Sequence, residues 1–162
     1  MDNIAILQAL YDDVQAYADA HGGQAAASGT FVESLEILSA RPSGFLAVVE
    51  WQGEDAASDD EWAGVMRNDI GIYVAINAGL QAKPGAALWL SPSGRTLLER
   101  TNAVRDRVRE IVFTDNEDTS RRFNYRGAKQ VLLPDGTPLR AFRLEFQIHN
   151  ALPEPEYRNV NP

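Results

Sequence analysis

The chain has no cysteine, only two histidines, and 15 basic residues against 23 acidic ones. Without cysteine there are no disulfides, thiolate metal ligands or cysteine nucleophiles. A formal net charge of -8 argues against general nucleic-acid affinity, because phosphate binding needs local positive potential. No apolar run approaches the roughly 20 residues that span a bilayer, so no membrane partner is expected. The opening Met1-Asp2-Asn3-Ile4-Ala5-Ile6-Leu7 carries an acid and lacks a basic n-region. The expectation is therefore a soluble, cytoplasmic protein without a secretory signal.

The usual catalytic signals are equally scarce. His21 falls in a helix-ending turn and His149 on the polar side of a strand. Neither has a second ligand at helical or hairpin spacing. Gly22-Gly23 follows a helix and not a strand, and no GxxxxGK[ST] phosphate loop occurs. Ser91-Pro-Ser-Gly94 lacks the glycine frame of a nucleophile elbow and reads as a helix start. No catalytic residue, metal site or cofactor is assigned, and the chain is expected not to be an enzyme.

Most prominent among what is present is an amphipathic helix over residues 93–113. Leu97, Thr101, Val104, Val108 and Ile111 recur at steps of four and three. Leu98, Val112 and Phe113 widen that stripe, and Ser93 is the expected N-cap. Arg95, Glu99, Asn102, Arg105, Asp106, Arg109 and Glu110 form its charged face. A first helix covers 3–20, with Ile4, Leu7, Tyr11, Val14 and Ala18 as its stripe and Asp2 or Asn3 as cap. Residues 24–29 read as a connection; 30–38 reads as a strand through Phe31, Leu35 and Ile37, while 33–38 also suits a short helix. A turn at Arg41-Pro42-Ser43-Gly44 leads into a strand over 45–51, apolar on both faces except at Glu50.

Residues 53–61 read as an acidic loop carrying Glu54, Asp55, Asp59, Asp60 and Glu61. A strand over 69–77 alternates, with Ile70, Ile72, Val74 and Ile76 on one face. Lys83-Pro84-Gly85 marks a turn, 86–90 a short apolar stretch and 114–119 a polar link. Residues 123–133 and 139–149 flank Asp135-Gly136 as a hairpin, with Phe142, Leu144, Phe146 and Ile148 inward. Residues 1–150 form one domain, and 151–162 an extended proline-containing tail. The expected fold is α+β: a mixed, mainly antiparallel sheet with two main helices packed on it and a C-terminal hairpin.

This succession resembles the tail terminator, or tail-completion, proteins of long-tailed bacteriophages and prophages, including the Mu-like type. The resemblance rests on the N-terminal helix, the strand Pro42-Ser-Gly-Phe-Leu-Ala-Val-Val-Glu-Trp51 and the strand Ile70-Gly-Ile-Tyr-Val-Ala-Ile76. The helix over 97–112 follows, then Tyr125-Arg-Gly127 and a finish at Leu144-Glu-Phe-Gln-Ile148. It covers roughly residues 1–150. The acidic stretch 53–61, the connection 78–85 and the tail match no family pattern. The resemblance implies a ring, typically hexameric, that caps the tail tube and receives the head. The implied partners are further copies of the chain, the tail tube protein and a head-completion or connector protein. It implies assembly in the host cytoplasm, a final place in the virion tail and no catalytic residues.

A ring needs two different complementary patches per subunit, because its contacts run head to tail. Trp51, Trp62, Tyr73 and Trp89 are candidates, since aromatics dominate interfaces, though each also suits a core. Arg105, Arg109, Arg143 and Glu145 are candidates for intersubunit charge contacts. Glu54, Asp55, Asp59, Asp60 and Glu61 are expected to form a mobile or lumen-facing loop, whose charge would repel passing DNA. The competing reading is a small bacterial α+β domain that binds a ligand or protein without catalysis.

Overall fold

The computed structural model describes residues 3–27, 45–56, 65–77, 91–114, 120–133 and 139–151. Helix α1 (Asn3–Ala20) is followed by strands β1 (Gln24–Ala27), β2 (Phe45–Ala56) and β3 (Val65–Asn77). Helix α2 (Pro92–Glu110) then leads to β4 (Val112–Thr114), β5 (Ser120–Arg122), β6 (Asn124–Val131) and β7 (Leu139–Ala151). Five strands form one sheet in the order β1-β2-β3-β7-β6, while β4 and β5 pair separately. Among the described strands of the large sheet, only the β1–β2 pair is parallel. The fold is thus α+β with a mixed, mainly antiparallel sheet, as the sequence pattern implies.

Alternation fixes which way the sheet faces. Ile70, Ile72, Val74 and Ile76 of β3 are all buried in the larger core, with Leu144, Phe146 and Ile148 of β7 and Phe45, Ala47 and Val49 of β2. Both helices cover this face, α1 through Ile6, Leu10, Val14, Tyr17 and Ala18 and α2 through Leu97, Val104 and Val108. The reverse face has a smaller apolar cluster of Leu46, Val48, Ala75, Leu139 and Ala141. Strand β2 is accordingly buried on both sides along its first five residues. The helices run antiparallel, joined by Arg107 to the carboxylate of Asp13 and by Arg100 to the Tyr17 hydroxyl.

Several expectations need correction. The buried stripe of α1 is Ile6, Leu10, Val14 and Tyr17 with Ala18, so Ile4 lies outside it and is 72% exposed. Apolar residues occupy two adjacent sides of this helix, and packing against β1 and β2 selects between them. Residues 24–27 are a strand and not a connection. Strand β2 continues through Gly53, Glu54 and Asp55, which therefore belong to the sheet and not to a loop. An irregularity between Trp51 and Gly53 makes this possible: Gly53 adopts φ 129°, which bulges the strand and lets pairing with β3 resume. A second bulge lies between Tyr125 and Gly127.

The N-cap of α2 is Ser91, not Ser93, because Pro92 takes the first helical position, where its missing N–H costs nothing. The Gly94 N–H donates to Ser91 Oγ at 3.0 Å. The helix also stops earlier, at Glu110, so Val112 and Phe113 belong to β4. Helix α1 ends as expected: Gly22 sits at φ 70°, and Gly23 N–H donates to the Ala18 carbonyl at 2.8 Å. The strand expected over 30–38, the turns at 41–44, 83–85 and 134–138, the apolar stretch 86–90 and the tail beyond residue 151 lie outside the described residues, as does Asp2.

Ser91→Ala is expected to lower stability in urea by about 1 kcal/mol, the usual cost of losing an N-cap. Ser93→Ala should stay within about 0.5 kcal/mol of wild type. Equal losses at the two positions would contradict the cap assignment.

Candidate functional site

Where alternating strands lie on a helix layer, their outward residues form a second surface on the bare side. Register brings the outward residues of β2, β3, β7 and β6 into rows across the sheet. Tyr73 lies opposite Val48 on β2 and Arg143 on β7, and Arg143 lies opposite Lys129 on β6. In the next row Glu50, Gly71, Glu145 and Gly127 are neighbours. Three of the residues singled out from the sequence, Tyr73, Arg143 and Glu145, thus meet on one patch.

The patch is held by short polar contacts. The Tyr73 hydroxyl donates to Glu50 Oε2 at 3.2 Å, and Gln52 Nε2 donates to the same oxygen at 3.1 Å. The Arg143 guanidinium lies over the Tyr73 ring, 5.7 Å from its centroid. Lys129 Nζ donates to both Glu145 oxygens, at 3.1 and 3.3 Å. Gly71 provides the floor: a Cβ there would meet Gln52 Nε2 at 2.5 Å. Further down, Arg67 bridges Asp55 at 3.1 Å and Asp69 at 3.5 Å. Arg67 Nε, Asp69 Oδ1 and Arg143 Nε are shielded from solvent and make no hydrogen bond among the described residues. A folded protein leaves few such atoms.

Glu50, Gln52, Arg67, Asp69 and Lys129 were not singled out from the sequence, although the period-two pattern places Glu50 on the face of Val48. Burial raises the Tyr73 phenol above its ordinary value, opposed by Arg143 and reinforced by Glu50. The arrangement is a zwitterionic surface rich in donors and acceptors, suited to recognition of another polar surface.

Trp51 points the other way. It is adjacent in sequence to Glu50, so its side chain emerges on the helix-covered face. Its Nε1–H donates to Oδ1 of the buried Asn68 at 3.1 Å, which fixes the indole while leaving it 49% exposed. Asn3, Ile6, Leu7 and Ile70 complete the crevice beside it. Arg105 and Arg109 lie on α2 on either side of Asp106, with Arg105 Nε donating to its Oδ1 at 2.9 Å and Arg109 forming a looser ion pair with the same oxygen at 3.9 Å. The hydrogen bond from Arg105 lowers the Asp106 carboxyl below its ordinary value. A groove of about 650 Å³ opens beside them, with Glu110, Arg122, Phe123 and Tyr125 among its lining residues.

Glu54 accepts from Asn3 Nδ2 at 3.1 Å, and Asp55 pairs with Arg67, so both acids are tied to the domain. Trp62, Trp89, Asp59, Asp60 and Glu61 lie outside the described residues. His21 Nδ1 lies 2.8 Å from the Tyr17 carbonyl, and His149 accepts through its carbonyl from Arg121. Among the described residues no group of three or more His, Cys, Asp or Glu side chains could hold a metal ion. No described helix is long and apolar enough to cross a membrane.

Because the folded state holds the Tyr73 proton more tightly, this phenol supports stability fully below pH of about 10 and loses that support as pH rises through its raised value. Phenolate absorbance during an alkaline titration should show a late-ionising tyrosine that disappears in Tyr73→Phe. Unfolding in urea should show a steeper alkaline loss of stability for wild type than for the variant.

Compared with known proteins, no protein-family model matches the chain, and no curated protein matches it.

Proposed function

We propose that the chain is a structural assembly protein of a long phage tail, a tail terminator that caps the tail tube as an oligomeric ring. One observation carries the reading: successive residues of β2 send two unlike surfaces to opposite sides of the subunit. Trp51 presents a fixed, half-exposed indole on the helix side, while Glu50 anchors the charged lattice with Tyr73, Arg143, Lys129 and Glu145 on the bare side. A cyclic ring requires two different patches per copy, since each contact joins unlike surfaces.

The order helix, strands, helix, hairpin, on which the family resemblance rests, supports the same reading. In it the partners are further copies of the chain, the tail tube protein and a head-completion or connector protein. Assembly takes place in the host cytoplasm and ends in the virion tail, without catalysis and without sequence-specific DNA binding. A second reading, a small domain that binds a ligand or protein, is favoured by the groove beside Phe123.

Native mass by light scattering over a concentration series, with negative-stain images, separates the two. A closed ring of hexamer size, formed alone or on purified tail tubes, is the expected result. A monomer that forms no ring on added tubes would sink the tail reading and leave the binding domain.

A further inference from the structure

An open sheet ends in edge strands whose outer N–H and C=O groups have no ladder partner. In the order β1-β2-β3-β7-β6 the two ends are β1 and β6. Strand β1 has four residues, three of them half-buried. Strand β6 has eight and is more open. Ala128, Lys129 and Gln130 are exposed in succession, so neither face of the strand is covered there. Among the described residues, β6 pairs only with β7. Its bulge lies near the start, between Tyr125 and Gly127, and residues 127–131 pair with β7 without interruption. That leaves about 17 Å of regular, unpaired edge.

The edge carries one sign of charge. Residues 120–131 include Arg121, Arg122, Arg126 and Lys129 and no acid, in a chain of net charge -8. Arg121 donates to the His149 carbonyl and Lys129 to Glu145. Arg122 and Arg126 are exposed and make no hydrogen bond or ion pair among the described residues. Arg122 lines the groove of about 650 Å³ together with Asn124 and Tyr125, the first residues of β6. The groove therefore begins where the edge begins. On its helix wall Asp106 is taken up by Arg105 and Arg109, and Glu110 is the acid left over.

We infer that β6 takes an added strand, an extended acidic segment of a partner protein. The backbone of that segment pairs with residues 127–131, and its carboxylates meet Arg126 and, in the groove, Arg122. In such additions main-chain bonds supply affinity and side-chain contacts supply selectivity. Charge selects the occupant. A second β6 laid along this edge would bring Arg126 and Lys129 against their own kind, which is unfavourable across a strand pair. A segment carrying Asp or Glu removes that repulsion and gives Arg122 and Arg126 charge-assisted hydrogen bonds. The inference stands independently of the ring reading.

Selection of a random dodecapeptide display library on the purified chain tests this. Acid-rich peptides with β-branched residues should be enriched. Arg122→Glu combined with Arg126→Glu should weaken a synthetic copy of the best peptide by about tenfold or more. Both arginines are exposed, so circular dichroism and the urea midpoint should stay unchanged. In amide hydrogen exchange the bound peptide should slow alternate amides within residues 127–131 and leave those around Trp51 unaffected. Selection without acid-rich peptides, binding indifferent to the double substitution, or protection away from β6 would overturn the inference. So would β6 amides already protected in a concentration-dependent way, which would assign the edge to a second copy. A short single-stranded oligonucleotide that protects the same amides more strongly than the peptide would likewise reassign it.

Discussion

The structure depends on β3 being paired along both edges at once. Ile70, Ile72, Val74 and Ile76 all face one core, and the backbone groups of β3 are taken up by β2 on one side and β7 on the other. A slip of one residue would send Gly71, Tyr73 and Ala75 into that core and put Ile70, Ile72 and Val74 on the bare face. So large a penalty fixes the register of three strands together. The helices need only cover the apolar surface that this register creates. The clamp between Arg107 and Asp13 then sets how α1 and α2 lie against each other, although a partly exposed ion pair adds little stability of its own.

The same register gives the outer strands their irregularities. The bulge in β2 begins at Trp51 and the bulge in β6 at Tyr125, and these two residues stand in one row through Ile70 and Phe146. Bulges bend a strand and increase its twist. The two start from a single row, next to the row of Glu50, Gly71, Glu145 and Gly127 on the bare face. Above the Tyr73–Arg143 pair the reverse face is apolar, around Leu46, Ala75 and Ala141. Below the Tyr73–Arg143 pair it is charged, with Glu50, Asp69, Arg67 and Glu145. Gly71 leaves room for Gln52 to lie over the strand there. The polar patch is therefore a product of the fold's geometry as well as of its outward residues.

Much of this was legible in the sequence wherever a period was long enough to be unambiguous. Helix α1, the alternating half of β3 and the pairing of β6 with β7 follow from spacing and from Asp135-Gly136. Three losses have definite causes. Gln24-Ala-Ala-Ala27 has no alternation to signal an edge strand paired in parallel. Gly53, Glu54 and Asp55 have the composition of a loop, and only their partners on β3 make them a strand. Ser91 and Ser93 are equal as capping side chains, and the intervening proline decides between them. At the candidate site, Tyr73, Arg143 and Glu145 could be read as outward residues. Their meeting could not, because it rests on the pairing of β3 with β7, strands far apart in the sequence and joined by no turn. The bond from Trp51 to Asn68 is invisible for the same reason: 17 residues separate them in sequence.

Charge and apolar surface divide the work that any assembly of this chain requires. Each copy carries a net charge of -8, so approach is opposed by repulsion that salt screens over roughly 8 Å. The lattice around Tyr73 is nearly balanced in sign and avoids adding to that repulsion. Exposed ion pairs contribute on the order of 0–1 kcal/mol each, so such a lattice orients a partner far better than it holds one. Burial of apolar surface, at about 25 cal/mol per Å², supplies affinity more readily, and this subunit exposes it at few described places. A half-exposed indole held in place by a buried asparagine loses little side-chain freedom when it is covered. In such an assembly the fixed aromatic would supply adhesion and the charged face direction, and both originate from neighbouring positions on one strand.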